Sequence, residues 1–473
     1  MLNPLRRRGG GIPRFGGELI APGSRHYDQA RRVWNSAVDR YPALIARARD
    51  TADVVAVVRY AREQGLALSV RGGGHSAAGL AVADGALMLD FSAMKTVQVD
   101  AKARVMLAGP GATWDGVDAA TQVYGLATTG ATVGTVGVAG MTLGGGVGRL
   151  DRLAGLACDN LIDAEVVTAD GRVLTASEHP DLLWALRGGG GNFGVVTLFR
   201  HRLHPVGPAH VLLLGYPFAD AADVLRAYVA FSAQAPDRLA LYAGLQIAPA
   251  QPFIPENLRG RRFAALFALW FGAADEGPER IFAPLRALLP PPAMDVTSVM
   301  SYLETQRLAA GMAPVGLHRY ETIEWLSRLD EATIDALVNA AAAAPTAWST
   351  IAVKRMGGAA ARVPATGTAF WHRQAAHEVH VQAEWAPGEP ADVHRDWVRS
   401  TRAGVSPAST GGGYVNFVNE DGGPGRIRAA YGGNYERLAR VKAVYDPDNF
   451  FHLNHNIAPA GQPKLVHGGS AAP

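Results

Sequence analysis

The chain has 473 residues, enough for two packed domains, with 48% hydrophobic and 18% charged residues and a formal net charge of +3. So small a charge on so long a chain, with no dense Lys/Arg run, gives little electrostatic support for a nucleic-acid groove. The single cysteine, Cys158, excludes an internal disulfide framework and a CxxC redox or zinc pair, so no metal is expected, and no run of about 18 uninterrupted apolar residues marks a membrane span.

Residues 1–17 carry Arg6, Arg7 and Arg8 followed by Gly9, Gly10 and Gly11 with no apolar stretch behind them, which reads as a flexible arm and not a secretion signal. The expectation is a soluble, cytoplasmic protein, monomer or homodimer, with the arm over residues 1–25. Residues 50–65 have an Asp-Thr start, apolar residues at helical spacing and a glycine stop, the pattern of an amphipathic helix. Short strands are predicted over 66–70, 85–91 and 96–100, a helix over 112–124, a hairpin over 161–174, a helix over 181–187 and a strand over 195–203. Beyond His204-Pro205 the glycine clusters thin out. Strands over 211–216, 262–270 and 377–385 then alternate with Ala-rich helices such as 331–344. Glycine returns at Gly411, Gly412 and Gly413, followed by a predicted helix over 431–445 closed by Asp446-Pro447. These changes of texture divide the chain into a first domain from 26–205 and 409–473 and a second from 206–408.

The 55 glycines exceed the roughly 7% of an average chain and gather in three segments, 71–79, 130–148 and 188–194. Glycine lets backbone N–H groups approach an anion together, and a pyrophosphate is the natural guest; any single cluster can equally be a tight turn. None has the G-x-G-x-x-G spacing of a nicotinamide-binding Rossmann unit or a Walker lysine. A dinucleotide held by backbone loops on a non-Rossmann fold remains.

The segments VRGGGHSAAG (70–79), GVAGMTLGGG (137–146), GLACDN (155–160), RGGGGNFG (187–194) and NYERLARVKAVYDPDN (434–449) resemble, in order, the berberine-bridge-enzyme-like FAD-linked oxidases, above all their bacterial members. The likeness runs from about residue 26 to 460. It implies an α+β, two-domain fold of the vanillyl-alcohol-oxidase (PCMH) type: an FAD domain from both chain ends and an inserted substrate domain with an antiparallel sheet. It also implies that His75 is bonded to the flavin 8α carbon. A cysteine that makes a second bond in some relatives is Val133 here, so a single link is expected. The cofactor would lie against Arg71, Gly72, Gly73, Gly74, Ser76 and Gly79 of the first segment. From the second it would meet Thr135, Val136, Gly137, Gly140, Thr142, Gly145, Gly146 and Gly148, and from the third Asn192, Gly194, Val195 and Val196. Val136 matches a position over the reactive edge of the flavin, where a small side chain suits oxygen access. Cys158 lies away from the linking position and reads as a small buried residue.

Such an oxidation needs a substrate C–H aimed at the flavin and a group that takes the adjacent O–H or N–H proton. Tyr414, in Gly413-Tyr414-Val415-Asn416, matches a tyrosine that acts as base or orienter in the family, or is a packed aromatic; Asn416 would hydrogen-bond flavin or substrate. Residues 378–385 alternate strictly, so Glu378, His380, Gln382 and Glu384 share one face, which is either solvated or lines a cavity. His380 falls where berberine bridge enzyme keeps a carboxylate base, and with Tyr414 and Gln382 it completes the catalytic set. Asn454, His455 and Asn456 match the closing segment, where a polar side chain reaches the flavin. The implied activity is hydride transfer from a small organic substrate (an alcohol, a sugar, or a phenolic or alkaloid product) to FAD, with O2 reduced to H2O2. A dehydrogenase slow with oxygen, an oxidative cyclase and a flavoprotein without turnover stand beside it.

Overall fold

A computed structural model describes residues 11–272, 277–308 and 316–461. Strands β1 (Glu18–Ile20), β2 (Leu44–Arg47), β3 (Leu68–Arg71) and β4 (Leu87–Asp90) form a sheet in the order β1-β2-β4-β3. Both β2 and β3 run parallel to β4, and the helix Thr51–Glu63 is the crossover such pairing requires. That helix starts where the Asp50 side chain accepts the Asp53 N–H, and it buries Val54, Val57, Val58 and Ala61 at helical spacing. It is the helix expected over 50–65.

Strands β5 (Val97–Asp100), β6 (Val105–Ala108), β8 (Leu161–Val167), β9 (Val173–Thr175) and β10 (Val195–Arg202) make an antiparallel sheet ordered β5-β6-β10-β8-β9. A short pair, β7 (Leu126–Ala127) with β11 (His204–Pro205), leads out of it. The third sheet has seven antiparallel strands: β12 (Ala209–Pro217), β13 (Leu239–Ile247), β14 (Arg262–Trp270), β15 (Met294–Met300), β16 (His318–Leu326), β17 (Thr350–Arg355) and β18 (His377–Trp385). Their order is β15-β12-β14-β13-β17-β18-β16. One face of this sheet, including Leu212, Leu241, Val353, Val379 and Val381, packs under the helices Ala221–Ser232, Glu331–Ala342 and Ala391–Val405. The opposite face turns toward the glycine loops. A single buried cluster joins Trp114 and Phe199 of the first part to Trp325 and Phe370 beside the large sheet and to Tyr414 and Leu438 near the C-terminus.

Two expectations change. The arm drawn over 1–25 is not free in its described part. Ile12 and Ile20 are buried, the Gly16 N–H donates to Asp53 at 2.6 Å, and β1 pairs with β2, because two apolar side chains and an unpaired sheet edge hold the segment down. Residues 1–10 lie outside the described residues. The helix expected over 431–445 starts later, as Tyr435–Tyr445, and a separate helix, Gly423–Tyr431, precedes it. They are divided at Gly432, whose φ is +51° and where an added Cβ would lie 2.3 Å from the Trp371 ring.

Candidate active site

Strand β3 delivers the chain directly into Gly72-Gly73-Gly74-His75-Ser76. Among the described residues the backbone N–H groups of these five have no protein acceptor, and neither do those of Gly134, Thr135 and Gly137. Gly74 and Gly137 are buried, and buried amides are almost always paired, so such a run points to a ligand. The two segments touch: a Cβ on Gly73 would lie 2.3 Å from the Gly137 nitrogen, and one on Gly137 would lie 2.4 Å from the Gly73 nitrogen. Over Gly140 an added Cβ would meet nothing within 4 Å. Thr135 is exposed, while Val136 is half-buried and its N–H returns to the Val133 carbonyl.

The His75 ring makes no hydrogen bond among the described residues, and it stacks on Trp34 at 4.5 Å between centroids, 20° between planes. Burial, with a smaller contribution from the charge of Arg319, lowers its pKa to about 4 against the opposing pull of Glu321, so the ring is neutral at pH 7. A strap over residues 30–40 wraps the loop. The Arg71 guanidinium donates to the Ala30 carbonyl, the Trp34 N–H to the Gly74 carbonyl at 3.0 Å, and Arg40 to the Gly79 carbonyl at 2.9 Å. Ser76 Oγ accepts from the Leu80 N–H at 3.3 Å.

The strict alternation of β18 sends Val379, Val381 and Ala383 into the helix-covered core and Glu378, His380, Gln382 and Glu384 to the opposite face. That face is covered, not washed by solvent: Glu378 and Glu384 are buried, His380 and Gln382 half-buried. The His380 Nε2 is 2.9 Å from the Glu321 carboxylate, and the ring edge meets Phe417. Burial pushes the His380 pKa down, but Glu321, with Glu378 and Glu384, outweighs it and holds the ring above its ordinary range. Gln382 donates to Glu384 at 2.6 Å.

Across the strands His380 stands opposite Ala352, Ala352 opposite Gly244, and Gly244 opposite Ala265. Small residues thus floor a trough that begins at His380, and a Cβ on Gly244 would meet only open space. One wall is Tyr242, Lys354 and Glu378, in register; the other includes Thr350, Gln382 and Glu321. Lys354 Nζ donates to the Gly148 carbonyl at 2.7 Å and pairs with Asp151, which keeps its pKa raised although burial opposes it. Glu378, pushed up by burial, leaves Oε2 without a partner, and the Tyr242 hydroxyl is unpartnered as well. Tyr242, Lys354 and Glu321 were not singled out from sequence; the signal available in β13 and β17 was the spacing of Leu241, Ala243 and Leu245, and of Ile351 and Val353, which leaves Tyr242 and Lys354 on the other face.

Tyr414 is 3% exposed and packs among Trp325, Phe370 and Phe417. Its hydroxyl oxygen accepts the Gly146 N–H at 2.7 Å and the Asn416 amide at 2.9 Å. Burial nonetheless drives its pKa well above the ordinary tyrosine value. The structure therefore gives Tyr414 no partner that would make it a phenolate base, and places it as a hydrogen-bonding group instead. The amides of Gly145 and Gly146 go to Thr142 and Tyr414, and a Cβ on Gly148 would lie 2.2 Å from the Gly130 carbonyl oxygen. Thr142 Oγ1 lies 3.3 Å from His201.

In the segment 188–194 two amides turn to protein, while those of Gly188, Gly191, Asn192, Phe193 and Gly194 have no protein acceptor among the described residues. The Gly189 and Gly190 amides donate to Ala185 and Leu143, and a Cβ on Gly188 would lie 2.4 Å from the Phe370 nitrogen. Asn192 donates to the Gly189 and His455 carbonyls and accepts the Ile457 N–H, so it clamps the C-terminal segment. Gly194 packs on Val166, and Val195 and Val196 are buried ladder residues opposite Val167 and Val166. Asn454 and Asn456 each bury a side-chain oxygen without a partner. His455 is lowered by burial to a pKa of about 4.

The chain matches the family model of an FAD binding domain over residues 42–177 and the model for berberine and berberine-like proteins over residues 413–458. It is 30% identical to an uncharacterized FAD-linked oxidoreductase of Bacillus subtilis, over 94% of this chain and 97% of that protein. It is 32% identical to (R)-6-hydroxynicotine oxidase of Paenarthrobacter nicotinovorans, over 94% and 97% respectively. The chain belongs to the berberine-bridge-enzyme-like family of FAD-linked oxidoreductases. The crystal structure of 6-hydroxy-D-nicotine oxidase from Arthrobacter nicotinovorans superposes with a TM-score of 0.82 at 28% identity, covering 94% of this chain and 98% of that one. The expected two-domain α+β fold is therefore that of this berberine-bridge-like family.

The residues present fit FAD, as membership of the berberine-bridge-like family requires. Unpaired amides of residues 72–76, 134, 135 and 137 offer donors to a pyrophosphate, and the buried oxygens of Asn454 and Asn456 offer acceptors to ring N–H groups. No helix among the described residues is long and apolar enough to cross a membrane.

Proposed function

We propose that this oxidoreductase is an oxidase that carries FAD through one covalent bond to His75 and takes a hydride from a small alcohol, sugar, or phenolic or alkaloid compound, with dioxygen reduced to hydrogen peroxide. When bound, FAD supplies the two-electron acceptor. The observation that carries the reading is Glu321. Its carboxylate is hydrogen-bonded to His380, and Arg319, two residues before it on the same strand, lies over the Trp34 ring that stacks on His75, so the base and the linking residue face a common space. In the tautomer that donates Nε2–H to Glu321, His380 Nδ1 keeps a lone pair for the substrate O–H or N–H proton, and Glu321 stabilises the imidazolium that results. The Tyr414 hydroxyl, fixed by Gly146 and Asn416, has its own hydrogen to donate and orients the substrate. Gln382 lines the trough.

Peroxide release on a panel of sugars, alcohols, phenols and hydroxylated N-heterocyclic amines tests the reading, the last included because a relative is named for 6-hydroxynicotine. Stopped-flow mixing of the reduced protein with air-saturated buffer should reoxidise it within seconds. Reoxidation over minutes would make it a dehydrogenase.

A further inference from the structure

Trp34 lies outside every glycine segment, yet its ring covers one face of His75. With no hydrogen bond to either ring nitrogen, this stacking is the contact that orients the imidazole. Trp34 is itself held from several sides. Its N–H is bound to the Gly74 carbonyl at 3.0 Å, so ring and loop move together. The Arg319 guanidinium lies 4.4 Å from the indole centroid, and it is a buried group fixed by Glu384 at 2.6 Å and by the Trp34 carbonyl at 3.2 Å. The next residue, Asn35, grips the Arg319 backbone in both directions, accepting its N–H and donating to its carbonyl, each at 3.0 Å. The large sheet thus reaches the linking histidine through one indole.

We propose that Trp34, backed by Arg319 and Glu384, is a positioning residue for the attachment of FAD, presenting the His75 ring edge-on with a free nitrogen lone pair. The inference rests on the covalent reading above. In the net step a His75 nitrogen forms a C–N bond to the flavin 8α carbon. The imidazole N–H hydrogen and one hydrogen of the 8α methyl group leave with two electrons, which dioxygen accepts to give hydrogen peroxide. The nitrogen must be neutral to attack. Burial keeps His75 neutral against the pull of Glu321, and the Arg319 charge that adds to it belongs to this stack.

The test uses full-length protein expressed under riboflavin limitation and then mixed with FAD in air. Saturation of flavin fluorescence quenching reads binding, and acid-stable flavin against time reads bond formation. Trp34→Phe, which keeps a flat ring, should attach FAD at close to the wild-type rate. Trp34→Leu should bind FAD with unchanged affinity but attach it about 100-fold more slowly, the effect of losing alignment alone. Arg319→Lys keeps a cation beside Glu384 while removing the planar group over Trp34, and should also slow attachment without weakening binding. Wild-type rates in Trp34→Leu overturn the proposal, as do wild-type rates in Arg319→Lys should the leucine variant fail to fold. If wild-type protein itself sheds its flavin in acid, the covalent reading fails first and takes the proposal with it.

Discussion

Two loops of nearly the same composition, Arg71-Gly72-Gly73-Gly74-His75 and Arg187-Gly188-Gly189-Gly190-Gly191, meet different surroundings. In the first, five successive amides from Gly72 to Ser76 have no protein acceptor among the described residues, and neither does the His75 ring. In the second, the Gly189 and Gly190 amides go to protein carbonyls, those of Gly188 and Gly191 have no protein acceptor among the described residues, and the missing side chains let Phe370 and Leu438 approach the backbone. Glycine permits both a backbone open to a ligand and a backbone packed against protein. Which of the two it serves depends on what lies opposite.

The largest effect should separate the loops outright. His75→Ala should lose all acid-stable flavin, read by fluorescence of acid-precipitated protein, whereas Gly188→Ala should retain it in whatever fraction folds. Acid-labile flavin in wild type would remove the contrast. At the sheet face, His380→Ala should lower kcat by about 100- to 10,000-fold, the usual contribution of a positioned base, with flavin content unchanged. An unaltered kcat would move the base elsewhere.

Next in size, Gly188→Ala should destabilise the fold by about 3 kcal/mol in denaturant titration, since a Cβ there meets the Phe370 backbone at a φ of +119°. Gly72→Ala, where the nearest atom would be 3.1 Å away, should cost less stability and weaken FAD binding more. Equal losses at the two sites would erase the distinction. Tyr414→Phe leaves the Gly146 N–H and the Asn416 amide without their acceptor and should cost about 1–3 kcal/mol of stability. The smallest effect is a displacement of pH dependence. His380 must be unprotonated to act, and Glu321, Glu378 and Glu384 raise its pKa, so kcat should fall as the pH drops through a value above 6.5. Glu321→Gln should move that limb to lower pH; an unmoved limb would show that another group titrates.

Much of this was legible in the chain because it depends on local pattern. The helix after Asp50 follows from its cap and its 3.6-residue period, β18 runs over the residues its alternation marks, and β14 covers the run expected over 262–270. The shared face of Glu378, His380, Gln382 and Glu384 also follows from period alone, but not whether water or protein would cover it. The break at Gly432 was hidden because the cause is Trp371, 61 positions earlier in the chain. Trp34 was hidden for the same reason: a tryptophan in an irregular segment announces no partner.

By itself, the order of residues determined the family, the FAD-binding character, the histidine of the first loop and the polar face of β18, each of which is encoded in short stretches of chain. Only the tertiary structure decided that Gly188 and Gly189 of the second glycine loop pack against Phe370 and Leu438, that Tyr414 is buried between two donors, that Glu321 backs His380, and that Trp34 covers His75. Each of those depends on contacts between residues far apart in the chain, and such contacts exist only once the sheets have closed on one another.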